Sequence, residues 1–263
     1  MCIRIVYDIQ WNMGKIISFI SVENGAGKTT SCAALASCLA VLGHNVLCIS
    51  YELETNDLEQ NLGIDYPGTG IFEHPEIPEL SYLNLKVKYN PNELSSDHVA
   101  QFFDSVRAEY DFCLIDKQPG EQPKDTDSFF ITPVKPDILM VITSKITLSS
   151  NELNQIIDPA YIQGIKNICF MINRITPDDF VSKWTKLDKL FEKTNAELIG
   201  AVLEDPIIQE ALNEKTLLIR KKEKLALYDF MDTARRLAAE PVKWPFLRKH
   251  PRINSVVIKG VKK

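Results

Sequence analysis

The stretch Lys15-Ile-Ile-Ser-Phe-Ile-Ser-Val-Glu-Asn-Gly-Ala-Gly-Lys-Thr-Thr30 decides the fold of this chain. Its apolar run, Ile16 to Val22, predicts a buried strand. A short loop from Glu23 to Gly27 follows, and Lys28-Thr29-Thr30 then opens a helix rich in Ala and Leu. In such a turn the backbone N–H groups of the loop and of the helix N-terminus point at the same anion. The stretch therefore predicts a phosphate-binding loop.

The lysine and the threonine after the loop have defined chemical roles in such a site. Lys28 would contact the β- and γ-phosphates of a nucleotide, and the Thr29 hydroxyl would ligate Mg²⁺. The full pattern G-x-x-x-x-G-K-[ST] places a glycine where Val22 stands, whereas Gly25 and Gly27 fit. A glycine turn followed by a solvated lysine would have a similar short sequence motif, but the strand before the loop and the helix after it favour the phosphate site.

Composition indicates an ordinary globular protein. The chain has 263 residues, of which 45% are hydrophobic and 25% charged, with a net charge of −5 and a pI of about 5.5. The acidic balance argues against a surface that binds nucleic acid all over. Apolar runs are shorter than the ~20 residues that span a bilayer, and Met1–Gly14 is too polar for a signal peptide. We therefore expect a cytoplasmic protein.

The six cysteines form no C-x-C or C-x-x-C pair. Cys48, Cys113 and Cys169 stand in strand-like apolar runs, which is typical of small core residues. Free thiols in such positions fit a reducing compartment.

Strand-like and helix-like segments alternate along the chain. Strands are predicted at Ile16–Val22, Val46–Ser50, Leu83–Val87, Phe112–Asp116, Ile138–Thr143, Ile168–Asn173 and Leu198–Val202. Helices are predicted at Lys28–Leu42, Ser96–Glu109, Ser149–Ile162, Asp178–Lys193, Ile207–Asn213 and Asp229–Glu240. The alternation predicts an α/β fold of three layers, a mostly parallel sheet with helices on both faces. Tyr66–Glu79 contains three prolines and two glycines and is expected to be irregular.

Polar residues follow two of the predicted strands, where a parallel sheet binds its ligands. Asp116 ends an apolar strand and could hold a Mg²⁺-bound water, or it could be a simple strand-end cap. Asn173 ends another strand, and its amide could pair with the edge of a purine or merely shape a turn.

Together these segments resemble the MinD/ParA group of P-loop ATPases, which has a deviant phosphate loop. The resemblance runs from about residue 14 to residue 239, and we expect this domain to span 14–240 between an N-terminal extension, 1–13, and a tail, 241–263. The family motifs are matched by Glu23–Thr30 (K-G-G-x-G-K-[ST]-[ST]), Ser50-Tyr51-Glu52 (switch I, D-x-D), Asp116–Gly120 (switch II, D-x-x-x-G), Asn173-Arg174 (the adenine-reading Asn-[RK]) and Gly200–Pro206 (G-x-[IV]-x-x-[DE]).

The resemblance implies a P-loop NTPase fold, ATP or ADP with Mg²⁺ as cofactors, and an ATP-dependent homodimer. It implies that nucleotide is bound by Asn24, Gly25, Ala26, Gly27, Lys28, Thr29, Thr30, Asn173, Arg174 and Pro206. It also assigns metal ligation to Thr29 and Asp116, and catalysis to Lys28 and Glu52. The function implied is a nucleotide-dependent switch that positions a cellular machine: a division site, flagellum, pilus, plasmid or chromosome.

Three positions depart from the family pattern. Glu23 replaces the signature lysine that reaches the partner subunit's phosphates, Ser50 replaces the first switch I Asp, and Glu52 replaces the hydrolytic Asp. A carboxylate about 4 Å from a phosphate charge costs about 4 kcal/mol at an effective dielectric of about 20. Glu23 is therefore expected to point away, to bind a cation, or to belong to a different dimer. Hydrolysis is expected to be slow, and the alternative is a degenerate nucleotide-binding scaffold or adaptor with little or no ATPase activity.

Basic segments leave further partners open. Arg220-Lys221-Lys222 is a candidate for DNA contact, although charge runs are usually solvated faces. Lys243–Lys249 has the residue types of a basic membrane-surface helix, which Pro245 would break. Lys117, next to Asp116, could supply a positive charge in place of the lost lysine.

Overall fold

The computed structural model describes residues 13–50, 57–65, 70–84, 96–116, 135–221 and 225–242. Its strands are β1 Lys15–Ser21, β2 Val46–Ser50, β3 Phe72–Glu73, β4 Leu80–Asn84, β5 Phe112–Asp116, β6 Ile138–Thr143, β7 Ile168–Ile175 and β8 Glu197–Leu203. Its helices are α1 Lys28–Val41, α2 Asp57–Asn61, α3 Ser96–Glu109, α4 Ser150–Ile162, α5 Pro177–Phe191, α6 Pro206–Asn213 and α7 Leu225–Leu237, with a 3₁₀ turn at Leu218–Arg220.

The eight strands form one sheet in the order β3-β4-β2-β5-β1-β6-β7-β8. All neighbouring strands are parallel except β3 and β4, which are antiparallel. The predicted three-layer fold is therefore confirmed. Because β1 lies between β5 and β6, the loop after β1 emerges at the centre of the carboxyl edge, where ligands bind in such sheets.

Helices cover both faces of the sheet, and the alternation of side chains along β1 shows this. Ile17 and Phe19 are fully buried on the face covered by α1 and α7, while Ile16 and Ile20 point to the face covered by α3, α4 and α5. Such double cover explains why most strands are continuous apolar runs.

Helix α1 is buried almost all round, because it lies between the sheet and α7. Its side chains are mostly Ala, Ser and Cys, small enough for the layers to approach closely. It ends at Val41, and Gly43 just beyond the C-cap has a φ of +92°, a left-handed conformation that favours glycine after a helix. Cys48, Cys113 and Cys169 are buried free thiols, as predicted, and burial raises the pKa of a fourth, Cys38, to about 12.

Several segments differ from the sequence prediction. The last helix, expected at Asp229–Glu240, spans Leu225–Leu237, and helix α2 was not predicted. The strand expected at Leu83–Val87 begins three residues earlier, at Leu80, because Leu80 and Tyr82 pack on the α1 face of the sheet. The segment expected to be irregular includes strand β3. There His74 Nε2 donates to Leu62 O at 2.8 Å, and His74 Nδ1 accepts the N–H groups of residues 76 and 77 at 3.1 and 3.2 Å.

The proposed domain boundaries stay a prediction, because residues 1–12 and 243–263 lie outside the described part. Within the described part, every helix is too short or too polar to cross a membrane.

Candidate functional site

The phosphate loop lies at the carboxyl end of β1 and leads directly into α1. Gly25 and Gly27 have φ values of +74° and +88°, which favour glycine, and Gly27 is the N-cap of α1. A Cβ on Gly27 would also lie 2.9 Å from Asn173 Nδ2, so a larger residue would have to displace the Asn173 amide. No side chain caps the helix start, and Thr29 and Thr30 are half-buried in its first turn. The helix start is thus left uncapped by side chains, as the predicted anion site requires.

Lys28 and Asp116 form a buried ion pair beneath this loop. Lys28 Nζ donates to Asp116 Oδ1, and the two side chains are only 7% and 1% exposed. Asp116 ends β5, next to β1, so the sheet register brings the two residues together across 88 positions of sequence. The second carboxylate oxygen, Asp116 Oδ2, is buried without a partner. The predicted strand-end acid is thus beside the predicted phosphate lysine.

Asn173 supports the phosphate loop from below. Its Nδ2 donates to Ala26 O at 2.8 Å and to Ser31 Oγ at 2.9 Å, and Ser31 Oγ donates to Gly27 O at 2.7 Å. Because Nδ2 is used within the protein, it is not available to a purine in this conformation. Asn173 Oδ1 is buried and has no partner. The base-reading role stays a prediction, and the role seen here is to brace the loop.

The other residues predicted to bind nucleotide lie along the same edge. Asn24 is exposed on the loop, and Arg174 is exposed at the end of β7 with a φ of +56°. That left-handed conformation coincides with an irregularity in the β7–β8 pairing. Pro206 is exposed and begins α6, where Asp205 Oδ1 caps the helix by accepting the Ile207 N–H at 3.1 Å.

Glu23 points away from the phosphate cradle. Its carboxylate accepts the Ser144 N–H at 2.5 Å, the Ser144 hydroxyl at 2.7 Å and the Thr143 hydroxyl at 3.0 Å. These groups lie at the end of β6, on the side of β1 opposite Asp116. Of the arrangements expected for Glu23, the structure therefore shows the one in which the carboxylate points away from the phosphate loop.

A second polar cluster lies two strands away and was not predicted. Tyr82 donates to Glu59 Oε1 and is also hydrogen-bonded to Ser50, while Asn84 Nδ2 lies 3.4 Å from Glu59 Oε1. Burial and the neighbouring Glu59 carboxylate raise the pKa of the Tyr82 hydroxyl. Ser50 pairs with Asp116 across β2 and β5, so the cluster adjoins the ion pair. The sequence signal was weak, because Glu59 lies on a five-residue helix.

Three predicted features lie outside the described residues. These are the hydrolytic Glu52, the switch II residues Lys117 to Gly120, and the basic tail segment Lys243–Lys249.

The carboxyl edge fits Mg²⁺ and a phosphate group. Four buried side-chain N or O atoms of the described residues lack a partner, and three of them belong to Glu59, Asp116 and Asn173 along this edge. Mg²⁺ needs only one or two protein oxygens beside phosphate and water. No group of three or more His, Cys, Asp or Glu side chains in the described part could form an all-protein metal cage. Asp116 and Thr29 would hold Mg²⁺, whose positive charge would offset the negative charge of the phosphate groups.

The order of the sheet and the glycine loop between β1 and α1 define a P-loop NTPase fold. No protein-family model matches the chain. A putative septum site-determining protein MinD from Emiliania huxleyi is 24% identical over 256 residues, covering 88% of this chain and 90% of that protein. The MinC:MinD cell division complex of Aquifex aeolicus contains a chain with a TM-score of 0.70, at 20% identity, over 88% of this chain and 98% of that one.

MinD of Pyrococcus horikoshii complexed with Mg-ADP has a TM-score of 0.63 and 19% identity, over 86% of this chain and 96% of that one. The chain is therefore similar in sequence to MinD proteins and shares the fold of the MinD/ParA-type P-loop ATPases, the family that its motifs resemble.

Proposed function

We propose that this protein binds an adenine nucleotide with Mg²⁺ at the phosphate loop. The observation that carries the proposal is the uncapped start of α1, with Gly27 against Asn173 and the Lys28–Asp116 pair below it. Backbone N–H groups of residues 24–30 would surround the phosphates, and Lys28 would supply the positive charge. Thr29 and Asp116 would face the metal. The Pyrococcus horikoshii relative, which is complexed with Mg-ADP, supports this choice of ligand.

The base would bind at the ends of β7 and β8. Arg174 and Pro206 are exposed there, while the amide N–H₂ group of Asn173 holds the loop. We therefore assign base contact to Arg174 and to the backbone around Pro206, with Asn173 Oδ1 as a further acceptor if the brace moves.

The biological role that we propose is a nucleotide-dependent switch that positions a cellular machine. Its support is the likeness to septum site-determining proteins over most of the chain. A homodimer and a protein partner would fit this role, because the Aquifex aeolicus MinD chain is complexed with MinC. The protein would act in the cytoplasm, with peripheral membrane attachment as a possible addition.

The alternative is a nucleotide-binding scaffold with little turnover. The contacts of Glu23 favour it, because they hold that carboxylate against Thr143 and Ser144, on the side of β1 away from the ion pair. Ser50 and Glu52 stand where the family has its two switch I Asp residues, and these replacements also favour a scaffold with little turnover. Turnover of saturating Mg-ATP separates the two roles. The proposed switch should hydrolyse ATP measurably, although more slowly than typical enzymes at about 10 s⁻¹, whereas the scaffold should show little or no turnover.

Calorimetry with Mg-ADP and Mg-ATP tests the binding site. Thr29→Val keeps the shape of a half-buried side chain and removes the hydroxyl that would ligate Mg²⁺, so it should weaken binding at least about tenfold, about 1.4 kcal/mol. Thr147→Val, at an exposed position, is the matched control and should bind like the wild type. If the wild type binds neither nucleotide, the proposed site is wrong.

A further inference from the structure

The buried polar cluster around Tyr82 has a defined direction of hydrogen bonding. The Tyr82 hydroxyl carries a single hydrogen, and it donates that hydrogen to Glu59 Oε1. Tyr82 is also hydrogen-bonded to the Ser50 side chain. Because the Tyr82 hydrogen is already used, the Ser50 hydroxyl must be the donor in this second bond and the Tyr82 oxygen the acceptor. The three residues therefore form a chain in which Ser50 donates to Tyr82 and Tyr82 donates to Glu59.

Burial and the carboxylate at the end of the chain fix this direction. Ser50, Tyr82 and Glu59 are each at most 3% exposed, so bulk water does not compete for their hydrogens. A hydrogen bond to a carboxylate is stronger than a bond between two neutral hydroxyls, so Tyr82 directs its hydrogen to Glu59 and not to Ser50. Asn84 Nδ2, 3.4 Å from the same Glu59 oxygen, adds a second donor on that side. Tyr82 thus presents only an acceptor to Ser50.

The serine end of the chain lies at the edge of the sheet where ligands bind. Ser50 is the last residue of β2 and lies opposite Asp116 of β5 at the carboxyl edge. Asp116 Oδ2 is buried without a hydrogen-bond partner, although a serine hydroxyl stands on the neighbouring strand. This agrees with the direction of the chain, because the Ser50 hydrogen is used for Tyr82 and is not offered to Asp116.

We infer that Glu59, acting through Tyr82, is a positioning residue that holds the Ser50 oxygen as a hydrogen-bond acceptor at the carboxyl edge. A hydroxyl whose hydrogen is used can only accept a further bond, so Ser50 receives a donor. The donor that fits this edge is a water molecule accompanying the phosphates of the bound nucleotide. The inference rests on the proposed function, and it adds a residue of α2, outside the phosphate loop, that acts on the ligand through two hydrogen bonds.

Calorimetry of Mg-ADP with Tyr82→Phe, Ser50→Ala and the double variant tests the chain. Tyr82→Phe removes the acceptor of the Ser50 hydrogen, and we expect the affinity to fall about fivefold, the effect of about one neutral hydrogen bond. Ser50→Ala should show a similar loss, and the double variant should lose no more than Ser50→Ala alone. A purely structural role of Tyr82 would instead add its own loss in the double variant. Tyr161→Phe, which removes a hydroxyl that donates to Lys166 O at 3.3 Å, is the matched control and should bind like the wild type.

Crystal structures of the wild type and Tyr82→Phe without nucleotide give a second readout that needs no ligand. In Tyr82→Phe the Ser50 hydroxyl should turn from position 82 toward Asp116 Oδ2. An unchanged Ser50 rotamer, or additive losses in the double variant, overturns the inference. Absence of Mg-ADP binding to the wild type would defeat the proposed function, while the two crystal structures still decide the chain. If Tyr82→Phe does not fold, Ser50→Ala decides: a fivefold loss supports the inference, and wild-type affinity overturns it.

Discussion

Replacing Glu23 by alanine should destabilise the protein, although the residue lies at the surface edge of the phosphate loop. The change removes a carboxylate that accepts the Ser144 N–H, the Ser144 hydroxyl and the Thr143 hydroxyl. Thr143 is fully buried, so water cannot readily replace this partner. Ser144 is half-buried, so part of its loss is recovered from solvent.

The magnitude follows from the three donors. A hydrogen bond to a charged group contributes about 1.5–3 kcal/mol, but bonds that share one acceptor are not additive. With partial recovery by water we expect a loss of about 3 kcal/mol in the free energy of unfolding, midway between one such bond and two. For a chain of this size that corresponds to a decrease in melting temperature of about 6–12 °C.

Urea unfolding and thermal melting of three variants test this reasoning. Glu23→Gln keeps one acceptor oxygen and should lose less than Glu23→Ala, whereas Glu23→Lys places an ammonium against three donors and should lose at least as much. Glu210→Ala, at an exposed position of α6, is the control and should change stability by less than about 0.5 kcal/mol. If Glu23→Ala matches that control, or Glu23→Lys is more stable than the wild type, the carboxylate does not hold these groups.

Two further predictions follow from buried charges and from a buried histidine. Lys28→Ala should lower the free energy of unfolding by about 3–5 kcal/mol, because it leaves Asp116 buried without a cation. In urea unfolding, the double variant Lys28→Ala/Asp116→Ala should recover part of that loss. A double variant less stable than Lys28→Ala would contradict the ion pair. Burial, aided by the nearby Arg220 guanidinium, lowers the pKa of His74 below its ordinary value of 6.5. The unfolded chain then binds more protons below about pH 6.5, so stability should be full above that pH and fall as the pH drops below it. His74→Asn should flatten this part of the stability–pH curve, with His98→Asn, at an exposed position, as control; equal slopes in all three proteins would show that His74 is not the cause.

The sequence predicted the sheet well because most of its strands are buried on both faces. Strand β5, for example, is a continuous apolar run that ends at Asp116, so its limits and its polar end were both visible. Short elements were harder. Helix α2 has five residues, too few to show a helical period, and β3 has two.

Side-chain partners far apart in sequence could not be predicted at all. Glu23 and Ser144 are 121 positions apart, and nothing near either residue indicates the other. Asn173 was selected by its place at a strand end, but its contact with Ala26 spans 147 positions. The sequence thus indicated which residues reach the site, while the parallel register determines which of them meet.

The packing of α1 limits how this protein can transmit a signal. Its small side chains leave little free space between the sheet and α7, so tilting or sliding the helix would require many contacts to break together. A molecule bound at the N-terminus of α1 would therefore contact a helix that moves little. Any conformational response to that molecule must begin in the side chains and loops around the helix start. Those side chains and loops can change in sequence far more freely than the helix itself.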